Sequence, residues 1–125
     1  MHKRHIILLA HGSRNEHWQT HLESGVEQLS NKLSAQQLGI SLAHMELASP
    51  TLHEEVLRNR ALGAEHFYIY PLFFASGKHL QEDVPAQLDA IQQEVTDCTF
   101  ELGNALAEQD IFWQFIESAV LDFAS

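Results

Sequence analysis

His5 to Glu16 reads HIILLAHGSRNE. A short apolar run that stops on turn-forming residues is the signature of a strand buried in a parallel sheet. Ile6 to Ala10 supplies the run, His11 sits where the strand must end, and Gly12 lets the backbone turn. Ser13 and Glu16 then have the S-x-x-E spacing of a capping box, which marks a helix start. The helix predicted from there carries Trp18, Leu22, Val26, Leu29 and Leu33 at spacings of four and three, an amphipathic stripe. It is expected to run to about Gln37, with Gly39 ending it.

The same alternation repeats along the chain. ISLAHMEL (40–47) reads as a second strand, closing on Glu46. SPTLHEEVLRNRALG (49–63) reads as a helix with Ser49 as its cap, Pro50 at the first helical position and Gly63 after its end. EHFYIYPLFFA (65–75) is the strongest strand. SGKHLQEDVP (76–85) is a loop, with Asp83 as cap for a helix bearing Val84, Leu88, Ile91 and Val95. CTFELGNAL (98–106) is a weaker strand before a last helix from about Asp110. Four strand–helix repeats predict a single α/β domain over residues 1–125. Its architecture is a three-layer sandwich: a four-stranded parallel sheet with helices on both faces. On the last helix Ile111, Phe112, Phe115, Ile116, Ala119, Val120 and Phe123 form a stripe of double width. Such a face either covers the sheet or holds a partner subunit.

Composition narrows the function. With seven Lys and Arg against seventeen Asp and Glu, the net charge of −10 excludes a nucleic-acid phosphate binder. No run approaches the ~20 apolar residues of a membrane span, so no membrane partner is expected. The basic start and short apolar run imitate a signal peptide, but Ile6–Ala10 is too short and no small-residue cleavage site follows. One cysteine, Cys98, can make no internal disulfide, which favours a reducing cytoplasm. Histidine is the oddity, with nine in 125 residues. It is the commonest metal ligand and exchanges protons near neutral pH.

In open α/β sheets, ligands bind beyond the carboxyl ends of the strands. His11 after strand one, Glu46 at the end of strand two and His79 in the loop after strand three converge there. Two imidazoles and a carboxylate are a common ligand set for a divalent transition metal, and they accept protons near pH 7. Any one histidine taken alone is better explained by a hydrogen bond to nearby backbone. The convergence of three groups, two beside a glycine (Gly12, Gly77), favours a site. His17 and His21 fall off the apolar stripe and read as a solvated pair. His44 reads as packed or hydrogen-bonded, and His2, His5, His53 and His66 as surface or strand-start residues at the wrong edge.

AHGSR after the first strand and YPLFFASGKHLQEDVP after the third resemble the small sirohydrochlorin chelatases, the CbiX/SirB-like class II family. The family pattern is met by His11, Gly12 and Ser13, and downstream by Pro71, Leu72, Phe73, Gly77, His79, Asp83, Val84 and Pro85. MELASPTLHEEV is similar to the segment in which a family glutamate closes strand two. The resemblance spans nearly the whole chain. It implies a lyase-type chelatase that inserts Co(II), Ni(II) or Fe(II) into a sirohydrochlorin-type tetrapyrrole. It gives His11 and His79 the metal-binding and proton-accepting roles, with Glu46 assisting. It further implies a homodimer, and no organic cofactor, the divalent metal being a substrate. Sirohydrochlorin carries many carboxylates; Arg14 and Lys78, each beside a motif histidine, and the helix start at Ser13 are placed to pair with them.

A metal or tetrapyrrole carrier would use the same residues without turnover. A histidine phosphotransfer enzyme is disfavoured, because no arginine precedes His11 to hold a phosphate. P-loop, G-x-S-x-G and dinucleotide signatures are also missing. A purely structural α/β protein would not need the His–Gly clustering.

Overall fold

The computed structural model describes residues 2–125, His79 by its backbone alone. In chain order it contains β1 (Arg4–Ala10), α1 (Glu16–Leu33), β2 (Leu38–His44), α2 (Leu52–Ala61) and β3 (His66–Pro71). A π-helical turn, His79–Asp83, leads into α3 (Val84–Glu94), followed by β4 (Thr99–Leu102) and α4 (Asp110–Ala124). Short 3₁₀ turns, Ser34–Gln36 and Leu106–Glu108, precede β2 and α4.

The four strands form one sheet in the order β2-β1-β3-β4, all parallel. The chain leaves β1 toward β2, then crosses back to β3 on the other side of β1. The gap between the carboxyl ends of β1 and β3 is therefore the topological switch point. Period-two alternation sorts the side chains of β1. Ile7 and Leu9 join Phe67, Ile69, Leu52, Val56, Val84 and Leu88 in the core beneath α2 and α3. Leu8 and Ala10 join Leu42 on the opposite face, where Leu22 and Val26 of α1 cover them.

Several element boundaries differ from the sequence reading. The α1 cap is Asn15, whose side chain accepts from the Trp18 N–H at 3.0 Å. Asparagine caps as well as serine does, and residues 12–14 are spent clearing the sheet edge; Ser13 Oγ accepts from the Asn15 N–H instead. The left-handed residue after α1 and its 3₁₀ turn is Gln37 (φ 58°), so Gly39 lies inside β2. The α2 capping box is Thr51 and Glu54 rather than Ser49. Pro50, after a cis peptide bond, stays in the preceding turn, where its carbonyl accepts from the His44 N–H. Asp83 occupies the α3 cap position with no capping hydrogen bond from its side chain, and part of the expected loop is the π turn.

At the amino end of the sheet His5 is a strand-start residue, as expected, but it is buried, and its Nε2 shares a 2.8 Å hydrogen bond with Ser41 Oγ. Burial lowers its pKa to about 4, with Glu55 opposing and Arg58 adding to the effect. Glu55 is also buried. Burial alone would raise its carboxyl, but hydrogen bonds from Arg58, Ser41 and Asn59 outweigh that and hold it below the ordinary range.

The last helix does not cover the sheet. No residue of α4 is buried and none joins either core. Its ring contacts off the helix run to Phe74. Ile6, Tyr68 and Tyr70 consequently line an open groove of about 300 Å³ on the α1 side of the sheet.

Candidate active site

The hydrogen-bond ladder between β1 and β2 continues past both strand ends. Met45 N–H donates to the Ala10 carbonyl at 2.8 Å and Glu46 N–H to the His11 carbonyl at 3.1 Å. On the other side, Leu72 N–H donates to the Leu9 carbonyl at 2.8 Å. His11 and Glu46 thus leave the sheet as neighbours, beside the loop that follows β3. Glu46 lies two residues beyond β2 rather than closing it. Gly12 has φ +105°, and a Cβ there would run into the Glu46 carbonyl. Only glycine combines that backbone angle with so close an approach.

The His11 side chain is exposed, yet its ring lies on Phe73, with centroids 4.1 Å apart and planes 29° from parallel. Phe73 belongs to the α2–α3 core. Stacking fixes the plane of the imidazole, and the nitrogen lone-pair direction lies in that plane. His79 opens the π turn; its side chain lies outside the described residues. The turn is anchored by buried Leu80 and Val84 and by a 2.9 Å bond from the Gln81 N–H to the Gly77 carbonyl. Among the described residues no three His, Cys, Asp or Glu side chains could hold a metal ion together. The expected set of His11, Glu46 and His79 is incomplete without the last.

Arg14 and Lys78 are exposed on the loops after β1 and β3. Ser13 is half-buried; its hydroxyl closes the turn before α1 and its carbonyl accepts from the Gln19 side chain. Beneath this rim is a cavity of about 140 Å³ lined by His11, Ser13, Trp18, Gln19, His44 and Leu72. That is well below the ~300–1,000 Å³ of pockets enclosing drug-sized ligands, so this cavity by itself encloses only a small group.

Three site features escaped sequence reasoning. Trp18, assigned to the apolar stripe, is half-exposed and lines the cavity. His44 is buried, but its Nδ1 has no hydrogen-bond partner among the described residues. Burial holds its imidazole below the usual range, with Glu23 opposing. Phe73 stood in the quoted motif, where only pairing with His11 in space reveals its role. Of the other histidines, His21 stacks on Trp18 outside the cavity lining, while His53 pairs with Glu94 at 2.7 Å and His66 bonds Thr99 at 2.7 Å.

The CbiX family model matches residues 5–122. The sirohydrochlorin cobaltochelatase of Saccharolobus solfataricus is 32% identical over 83 residues, 66% of this chain and 62% of that one. The protein of the same name from Sulfolobus acidocaldarius is 29% identical, covering 66% and 64%. The matched stretch is thus less than two thirds of either relative. Among solved structures, a cobalamin (vitamin B12) biosynthesis CbiX protein of Marinobacter aquaeolei superposes with TM-score 0.82 at 33% identity, over 96% of this chain and 94% of that one. The sirohydrochlorin chelatase SirB of Bacillus subtilis subspecies spizizenii, in complex with cobalt, superposes with TM-score 0.72 at 21% identity over 83% and 44%, a likeness of fold.

Proposed function

This chain belongs to the CbiX family, and we propose that it is a single-domain chelatase inserting a divalent metal into sirohydrochlorin or a related tetrapyrrole. Cobalt, nickel and iron all suit two imidazoles and a carboxylate. The reaction exchanges two pyrrole N–H protons for one M²⁺, so the site must deliver a metal and remove two protons. His11 and His79 share those tasks, and Glu46 assists capture of the metal or removal of a proton. A neutral imidazole binds a divalent ion through the same lone pair that later accepts a proton.

The observation that carries this reading is the placement of His11. It stands at the switch point, its ring plane fixed by Phe73, with Glu46 hydrogen-bonded to its carbonyl and the His79 turn following the adjacent strand. Arg14, Lys78 and the turn at Ser13 receive the substrate's carboxylates. The reading also includes a cytoplasmic enzyme that works as a homodimer; among the described residues no helix is long and apolar enough to cross a membrane.

The test is an absorbance time course with sirohydrochlorin and Co(II), run beside His11→Ala and His79→Ala. Metallation above the spontaneous rate, lowered at least tenfold in each variant with the fold intact, is the expected result. Tight binding of metal or tetrapyrrole without acceleration would make the protein a carrier and sink the chelatase reading.

A further inference from the structure

Two cavities lie one behind the other along the seam between α1 and β2. The inner one is the cavity of about 140 Å³ beside His11, which α1 walls with Trp18, Gln19 and Leu22. The outer one, of about 380 Å³, is walled by Glu23, Val26 and Glu27 on the next turns of α1 and by Ser41 of β2. Because β2 is an edge strand, the outer groove opens at the side of the sheet and not over the strand ends. His44 lines both. It is 2% exposed, and its Nδ1 has no hydrogen-bond partner among the described residues. A buried polar atom without a partner costs stability that an apolar side chain in the same place would not, so packing alone does not account for a histidine here.

The outer groove is acidic. Its Arg58 is already bonded to Glu55. The Glu23 and Glu27 carboxylates have no ion pair among the described residues. They stand at i and i+4 on α1, a spacing at which like charges destabilise a helix. Glu23 is close enough for its charge to act on the His44 imidazole. Such a groove attracts cations and repels carboxylates.

We propose that the divalent metal reaches His11 from the side, collected by Glu23 and Glu27 in the outer groove and handed across by His44. The ion's destination rests on the chelatase reading. The side route gives the metal an entrance distinct from the strand ends, where the tetrapyrrole of that reading binds. In the outer groove the ion is held by carboxylates and water. The inner cavity adds the apolar walls of Leu22 and Leu72, so water shed on entry has to be replaced by protein ligands. The imidazoles of His44 and then His11 supply them. Turning the His44 ring toward the ion breaks no hydrogen bond at Nδ1. Among the described residues no three acidic or histidine side chains converge on one point, so the ion keeps most of its water in the groove and moves on, as delivery requires.

Co(II) alone is the first probe. In a His11→Ala/Glu46→Gln/His79→Ala variant, which lacks the candidate ligand set, Co(II) should still shift and broaden the His44 imidazole resonances in NMR spectra. Adding Glu23→Gln and Glu27→Gln, both at exposed positions, should weaken that response at least tenfold. The second probe is order of addition, with the rest of the protein unaltered. With sirohydrochlorin bound first, Glu23→Gln/Glu27→Gln should slow single-turnover metallation at low Co(II) at least fivefold. With Co(II) bound first, the difference should fall below twofold. Asp89→Asn with Glu101→Gln removes the same charge elsewhere and should slow neither order by more than twofold. His44 resonances untouched by Co(II), equal slowing in both orders, or equal slowing by the control pair would each overturn the side entrance. Absence of metallation in the unaltered protein would sink the chelatase reading instead, and the response of His44 to Co(II) would then decide the entrance by itself.

Discussion

The imidazole of His11 and the phenyl ring of Phe73 lie nearly face to face, 4.1 Å between centroids. One ring is exposed at the site and the other is buried beneath α2 and α3. The core therefore sets the plane of an imidazole that faces solvent.

Phe73→Leu should test that relationship. Leucine keeps most of the buried volume, so stability should fall by only about 1–1.5 kcal/mol. The imidazole loses its stacking partner, and turnover should fall several-fold. Thermal unfolding beside the chelatase assay reads both. A turnover change no larger than the stability loss explains would remove the positioning role.

Gly12→Ala should be worse than its size suggests. The added methyl meets the Glu46 carbonyl at a backbone angle that L side chains rarely adopt. Strain of about 1–3 kcal/mol is expected from the angle alone, enough to lower Tm by roughly 5 °C or more. Because the clash pushes Glu46 from His11, turnover should fall at least tenfold even well below the new Tm. Full activity at low temperature would show that the spacing of these two residues is not critical.

Arg14→Ala and Lys78→Ala should act on substrate binding. Both cations are exposed, so their pairing with carboxylates is screened by salt. KM for sirohydrochlorin should rise in each variant more than kcat falls, and the difference from wild type should shrink as salt is added. Steady-state kinetics at two ionic strengths provides the comparison. An unchanged KM in both variants would assign carboxylate recognition to other groups.

Stability should decline on acidification before the carboxylates protonate. His5 has its pKa lowered from 6.5 to about 4 by burial. Above pH 6.5 the imidazole is neutral in both folded and unfolded chains and contributes nothing to the pH dependence. Below it the unfolded chain takes up a proton that the folded chain refuses, so stability is lost between pH 6.5 and about 4. The loss is of the order of 3 kcal/mol at most. Glu55, held below the ordinary carboxylate range, adds a second loss at lower pH as the folded carboxyl protonates. Urea unfolding at pH 7, 5.5 and 4 should show the decline, and His5→Gln should flatten its upper part. Equal slopes in the two proteins would rule out His5 as the source.

The strand–helix alternation was legible because buried parallel strands and amphipathic helices have different apolar periods. HIILLA and HFYIYP left no other reading. Boundaries were less legible, since Ser13, Asn15, Ser49 and Thr51 are all good caps and the choice depends on how the chain clears the sheet edge. His11 and the loop of His79 were found at one edge because topology alone puts them there. The burial of His44 was read from its strand, but the Phe73 stack, the lack of a partner for His44 Nδ1 among the described residues and the fate of α4 depend on packing between distant segments, which no local pattern encodes. The double-width stripe on α4 did signal an unusual helix, but only the structure shows that it leaves its own sheet uncovered.

The π turn at His79–Asp83 has a consequence for how this loop can change over evolutionary time. A π turn is an α-turn with one residue inserted, and each helical residue advances about 100° around the axis. Deleting a single residue between His79 and Asp83 would tighten the turn into an ordinary one. Position 79 would then rotate by about 100° while Val84 and Leu88 stayed locked in the core. Substitutions in this stretch leave the rotation alone; a one-residue deletion does not. The interval from His79 to Asp83 is therefore fixed in length more firmly than in composition, and relatives that keep the histidine in use should vary there by exchange of residues and not by gaps.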